Sequence, residues 1–263
     1  MMEIDPAVLM TWVSSFMWPF MRISALFMAM PVIGTTNVPV RVRMAITLAV
    51  TVVIASNLSA VPEFNPLNFK VWLDIASEIL IGVAMGFALQ LAFSAVIIAG
   101  QIIALQMGLG FASMVDHSSG MNMPVIAQLY LLAVILIFLT FNGHLTIIEM
   151  VAESFTTLPI ASGFLHTESL WNLITWGADM FAAAVLIAMP AIGALLIVNI
   201  SFGIMTRASP QLNIFAVGFP FMVGTGLTVI WTTLPNLSSQ VSTLFAQIFE
   251  LVGSIVGVQY GAG

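Results

Sequence analysis

Residues Ile79 to Val115 read ILIGVAMGFALQLAFSAVIIAGQIIALQMGLGFASMV, 37 residues without a charged side chain. The helical region that carries most of them begins at Trp72 and runs to about Met107. At about 1.5 Å per residue, a helix as long as the uncharged run reaches roughly 55 Å, nearly twice the ~30 Å hydrocarbon core of a bilayer. Such a helix bends back or extends beyond the membrane. The end of the run changes character. From Gly100 to Pro124 the chain starts with helical spacing and finishes as loop. Gly108 and Gly110 loosen it, Asp116-His117-Ser118-Ser119-Gly120 supplies turn chemistry, and Pro124 is suited to open the next helix. Yet Met107, Leu109, Phe111, Met114, Val115, Met121 and Met123 make this loop apolar and rich in methionine. A loop with that surface is buried in protein or lines a cavity. Two readings stay open here: a greasy connection packed on lipid or on its own helices, and a flexible obstruction inside a pore.

Composition agrees with a membrane or membrane-assembly protein. The 263 residues are 60% hydrophobic and 6% charged, with mean hydropathy +1.12. Soluble domains carry about 25% charge. The basic residues are Arg22, Arg41, Arg43, Lys70 and Arg207, and the formal net charge is -6. Without a basic cluster, neither nucleic acid nor an anionic-lipid patch is an expected partner. With no cysteine, disulfides, thiol catalysis and thiolate metal sites are excluded. The acidic start Met1-Met-Glu-Ile-Asp-Pro does not read as a cleaved signal peptide.

Outward from the long run, the apolar segments predict further helices. Ala7 to Met30 is long enough to span, although Pro19 and Arg22 interrupt it. An arginine in such a run faces protein or water. Arg41 and Arg43 open a second run, Met44 to Ala60. Val125 to about Phe155 reads as one helix with Asn142-Gly143-His144 inside it. Its Glu149 and Glu153, four apart, are a solvated face or a proton-relay pair. Pro159 to Glu168 is the clearest internal boundary. Leu170 to about Thr206 follows, with Pro190 and Gly193 as expected kinks. Arg207-Ala-Ser-Pro-Gln-Leu-Asn213 is a polar turn, Ile214 to Leu234 another run, and Pro235-Asn236 is expected to start a last helix. There Leu237, Val241, Leu244, Phe245, Ile248, Phe249, Val252 and Ile255 follow helical spacing, with polar residues opposite. That stripe predicts packing on a partner and not a lipid span.

The basic residues give no consistent topology. If every run crosses once, the loops with Arg41 and Arg43 and with Lys70 fall on opposite sides. Together with the over-long run, this predicts stacked helical hairpins in an assembly and not a simple serpentine bundle. The Gly82-Val-Ala-Met-Gly86, Gly253-Ser-Ile-Val-Gly257 and Gly257-Val-Gln-Tyr-Gly261 spacings match small-residue helix packing but are expected by chance in a glycine-containing chain. No HExxH, GxSxG or GxxxxGK pattern occurs, and His117, His144 and His166 sit in unrelated contexts. No catalytic, metal or cofactor-binding residue is expected.

Several short motifs in order carry a resemblance. They are Arg22, Pro31-Val-Ile-Gly34, Val38-Pro-Val-Arg-Val-Arg43, Gly100-Gln101, Gln106-Met-Gly-Leu-Gly110, Asp116, Phe138 and Asn142-Gly-His144. Gly203, Arg207-Ala-Ser-Pro-Gln-Leu-Asn-Ile-Phe215 and Val217-Gly-Phe-Pro220 complete the set. Over nearly its whole length the chain resembles the FliR/SctT family of type III secretion export-gate proteins, in its flagellar branch. The departure is His117, where the family often has proline.

The resemblance implies an all-α subunit built of helical hairpins. It would assemble with FliP-like, FliQ-like and FlhB-like subunits in the bacterial inner membrane, at the flagellar basal body. Unfolded flagellar proteins would pass through the gate. Residues 1–162 would be the FliP-like half and residues 163–263 the FliQ-like half of one all-helical unit. The loop from Gln106 to Asn122 would be the pore plug, with Gln106, Met107, Gly108, Gly110, Phe111, Met114, Asp116, Gly120 and Met121 as its residues. Arg207, Gln211, Asn213 and Phe215 would make inter-subunit contacts. From the residues alone, Arg207, Gln211 and Asn213 hold the hairpin to a neighbour, cap helix ends, or form a solvated turn. The alternative function is a small-solute secondary transporter or channel, which the broken helices from Ala191 to Gly226 would suit. The absence of paired intramembrane charges and of two-half symmetry speaks against it.

Overall fold

The computed structural model describes residues 6–35, 38–58, 61–62, 64, 67–110, 123–209 and 214–258, with side chains at 6–9, 11 and 214–216 left aside. The described residues form seven α-helices and no strand: α1 Pro6–Ala29, α2 Val40–Ala55, α3 Phe69–Gln106, α4 Val125–Thr140, α5 Gly143–Thr157, α6 Thr167–Ala208 and α7 Ile214–Val256. The 38 residues of α3, 42 of α6 and 43 of α7 are single helices. Each is long and apolar enough to cross a membrane, and α4 with α5 makes a fourth candidate bent by 61°.

The second run, expected from Met44 to Ala60, is helical over Val40–Ala55, and two breaks also differ from the sequence expectation. The segment after Val125 is not one helix, because it breaks at Phe141–Asn142. Asn142 takes a left-handed conformation, φ 56° and ψ 24°, and α5 restarts at Gly143. Asparagine tolerates that region better than other non-glycine residues, so the Asn-Gly pair acts as a corner although apolar periodicity runs through it. Conversely, Pro235 does not start a separate helix. It lies inside α7, as does Pro220. Proline removes one helical hydrogen bond, but buried Ile230 continues in phase into Leu237, Val241, Leu244 and Ile248, so packing on both sides of Pro235 holds the axis. The eight apolar positions named for this last segment are all buried within the chain itself. Its stripe is therefore covered by its own fold and not left for a partner.

The chain forms two compact units. One comprises residues 1–91, 142–177 and 245–263. In it α1 packs on α2 and on the first half of α3. Gly82 and Gly86 let those backbones meet: a Cβ at Gly82 would overlap the Arg22 carbonyl, and one at Gly86 would lie 2.6 Å from Ala29 Cβ and 2.8 Å from the Leu26 oxygen. This Gly82–Gly86 spacing, unremarkable in the sequence, is a close helix contact. Trp18 Nε1 donates to the Pro62 carbonyl at 3.0 Å, and Ser14 Oγ accepts from Phe64 N, which ties the α2–α3 connection to α1.

Helix α2 has inverted polarity. Thr47, Thr51 and Ile54 are buried, whereas Val40, Val42, Met44, Leu48, Val52 and Val53 are exposed. The buried hydroxyls are satisfied on their own helix, Thr47 donating to the Arg43 carbonyl at 2.8 Å and Thr51 to the Thr47 carbonyl at 2.7 Å. With 16 residues α2 is short of the ~20 that a spanning helix needs. Arg43, in the first turn of α2, and Lys70, in the first turn of α3, therefore need not lie on opposite sides of a membrane.

The other unit comprises residues 92–141 and 178–244. Phe93 and Phe138 meet edge to face with centroids 5.4 Å apart, joining α3 to α4. Along α6 and the first half of α7, Phe181, Leu186, Ile197, Ile200, Phe221 and Trp231 remain exposed. Large apolar side chains exposed in this number suit lipid or protein and not water.

Candidate functional site

The end of α3 is an engineered-looking stop only in its chemistry: a glycine where the backbone turns left-handed. Gly108 has φ +79°, its N–H donates to the Leu105 carbonyl at 3.0 Å, and Leu109 N–H donates to the Ala104 carbonyl at 2.9 Å. These two bonds are the Schellman arrangement, which satisfies carbonyls that the helix end would orphan. Only glycine adopts that conformation without a Cβ penalty. The elbow so formed rests on α7. Phe219 and Met222 lie within 3.6 Å of where a Gly108 Cβ would be. One turn further on, Gly226 faces Met107 so closely that a Cβ would stand 2.5 Å from Met107 Cγ, 2.7 Å from Sδ and 2.8 Å from Cε. Met107 is fully buried, while Leu105 two residues earlier is 63% exposed.

The sequence-predicted plug residues divide at this elbow. Gln106 ends α3 partly exposed, Met107 is locked on Gly226, Gly108 turns the chain and Gly110 follows, partly exposed. Phe111, Met114, Asp116, Gly120 and Met121 lie outside the described residues. Of the expected contact residues, Arg207 is exposed in the last turn of α6, where a cation complements the helix dipole. Gln211 and Asn213 lie outside the described residues, and Phe215 is described in backbone alone, in the first turn of α7. Glu149 and Glu153 are both exposed on α5. Among the described residues no three histidine, aspartate or glutamate side chains converge as metal ligands.

A second cluster was not anticipated in full. Arg22 was expected to face protein or water, and it is fully buried with four of its guanidinium donors used. Nε donates to Glu78 Oε2 at 2.7 Å and Nη2 to Oε1 at 3.1 Å, a bidentate pair. Nη1 donates to Ser154 Oγ at 2.8 Å and Nη2 also to the Leu158 carbonyl at 3.0 Å. The Phe155 ring lies under Cζ at 4.2 Å. One side chain thus joins α1, α3 and the end of α5. A buried charge pair of this kind was not foreseen from the sequence. The pair does not restore a transporter reading, because both partners are sealed and mutually satisfied, whereas a relay needs an access path. Its members are 56 residues apart, so no local spacing announces them. Gly226 was likewise hidden among the many glycines of its segment.

Residues 13–248 match the family model described as bacterial export proteins, family 1. The chain belongs to the bacterial export proteins, family 1. Its similarity to curated members of the family extends almost end to end. It is 38% identical over 258 residues to the flagellar biosynthetic protein FliR of Escherichia coli (strain K12), covering 97% of this chain and 98% of that one. It is 38% identical over 250 residues to FliR of Pectobacterium carotovorum subsp. carotovorum, covering 94% and 95%. It is 33% identical over 238 residues to FliR of Aquifex aeolicus (strain VF5), covering 88% and 90%. These relatives are named for flagellar biosynthesis and not for a reaction. As a bacterial export protein with several helices able to cross a membrane, the chain is a membrane protein with a role in flagellar export.

Proposed function

We propose that the chain is a core subunit of the flagellar type III export gate of the bacterial inner membrane. It assembles with FliP-like, FliQ-like and FlhB-like subunits into the channel that passes unfolded flagellar proteins. The observation that carries this reading is similarity over nearly the full length of both chains to a flagellar biosynthetic protein. The exposed apolar faces of α2, α6 and α7 support it, since a subunit of a larger assembly leaves such faces for its neighbours. In this reading residues 1–162 are the FliP-like and 163–263 the FliQ-like part. Gln106 to Asn122 is a plug in the central channel, where unbranched methionine side chains close around a varying cross-section and an apolar constriction excludes water. Arg207, Gln211, Asn213 and Phe215 contact a neighbouring subunit.

The test is purification in mild detergent from a host producing the candidate partners. The chain is expected to co-purify with FliP-like and FliQ-like subunits, and to aggregate or be degraded when produced alone. A long-lived, monodisperse monomer that captures neither partner would overturn the proposal.

A further inference from the structure

We infer that α4, α6 and α7 build an internal water site around the Tyr130 hydroxyl. A cavity of about 30 Å³ lies between these helices. Tyr130 of α4, Pro190 of α6 and Thr233, Asn236 and Gln240 of α7 line it, together with two aliphatic side chains. A water molecule needs about 10–15 Å³ of such space, so the cavity takes about two. Its walls are polar enough to hold them. Tyr130 is 4% exposed, and its hydroxyl lies against Thr233. Thr233 donates to the Val229 carbonyl at 2.8 Å, which leaves its oxygen free to accept. Asn236 and Gln240 follow Thr233 at i+3 and i+7, on the same face of α7. Among the described residues their side-chain amides have no partner within the chain. A buried water makes two to four hydrogen bonds, and these hydroxyls and amides supply them.

Both long helices lose a backbone donor at this level. Pro190 has no N–H to offer the Leu186 carbonyl, and Pro235, next to Asn236, has none for the Trp231 carbonyl. Helices in an apolar medium tolerate proline where hydroxyl side chains and ordered waters re-satisfy the freed carbonyls. The cavity sets that chemistry against Pro190 and one residue from Pro235. Nearby on the same helices, Leu186, Met189, Trp231 and Leu234 are exposed and apolar, a surface that lipid or protein covers. A lipid tail offers the polar walls nothing, and a cavity this small suits water. The water then bridges α4, α6 and α7 where the two longest helices are weakest.

A brief X-ray pulse converts bound water into hydroxyl radicals, which oxidise the side chains they touch, and mass spectrometry reads the sites. The measurement uses the full chain in membranes of the native host. Tyr130 should be oxidised far faster than Phe138, which is 1% exposed and serves as the buried reference. Thr233→Val keeps the shape of the side chain and removes its hydroxyl. It should lower the Tyr130 rate about fivefold, the equilibrium factor for one net hydrogen bond. Thr233→Ser, which keeps the hydroxyl, should hold the rate near that of the parent. If Thr233→Val does not accumulate, Gln240→Leu removes a polar group from the exposed side of the site and takes its place, with the same fall expected. A Tyr130 rate no higher than that of Phe138 overturns the inference, whether packing or a neighbour's side chain fills the space. A rate that the loss of the polar group leaves unchanged also overturns it, because oxidation then reports opening to bulk solvent and not a held water. The cavity belongs to this chain alone, so either failure leaves the export-gate reading standing.

Discussion

Arg22→Met keeps the aliphatic volume of the side chain and removes its guanidinium. Glu78, 1% exposed, is then a buried carboxylate without its cation, and the Leu158 carbonyl loses a donor. Ser154 keeps its own bond to the Val151 carbonyl, so it contributes little. Removing one member of a buried ion pair costs about 3–5 kcal/mol. An orphaned carbonyl adds to this, but the two losses share one relaxation, so about 4 kcal/mol is the working figure. Against a total stability of about 5–15 kcal/mol this is a large fraction. For a chain of this size each kcal/mol moves the midpoint by about 2–4 °C, giving a fall of about 8–16 °C. The assay is thermal unfolding in mild detergent, followed by near-UV circular dichroism. The diagnostic variant is Arg22→Met with Glu78→Leu. Exchange of a whole buried pair for apolar groups is often neutral or stabilising, so the double variant should melt well above the single one. A double variant that melts as low as Arg22→Met would refute the argument, because the loss would then come from packing and not from the stranded charge.

Three further outcomes are expected. Asn142→Gly should leave the melting midpoint nearly unchanged, whereas Asn142→Val should lose about 1–2 kcal/mol at the left-handed corner; chemical denaturation in detergent measures both. Arg207→Ala should lower the yield of assembled complex without changing the helix content of the chain, and normal yield with normal motility would leave Arg207 a solvated helix-end cation. Deleting Gly110 to Gly120 should keep the complex assembled and raise the passive conductance of the membrane; unchanged conductance in an assembled deletion would leave the segment a packing loop.

How far the sequence could be read depended on what each residue's neighbours were. The length of α3 and the eight-residue stripe of α7 were legible because periodicity and lack of charge are local properties. The turn at Gly108 was foreshadowed by glycine itself. The corner at Asn142 was not, since apolar residues continue on both sides and the pattern carries no phase break there. Pro235 misled in the opposite sense, because packing of distant segments outweighed a single lost hydrogen bond. Arg22 was conspicuous, but its partner lay 56 residues away and its third helix farther still. Gly82, Gly86 and Gly226 depend on which backbone or side chain comes to rest against them, which composition does not encode. The burial of α2 was illegible for another reason. Where the surroundings are as apolar as the interior, the rule that greasy faces turn inward loses its direction.

That helix carries a consequence for how the molecule comes into being. A segment that hides threonines and displays valines has no thermodynamic reason to keep that orientation in an aqueous compartment. Were it released there, the cheapest response would be to roll about its axis, undoing its seating on α1. Its native rotation is stable only once a nonaqueous exterior is already in place. For α2, then, delivery and folding are one event: the medium acts as a missing structural element, and a chain that misses its destination lacks part of the instruction for its shape.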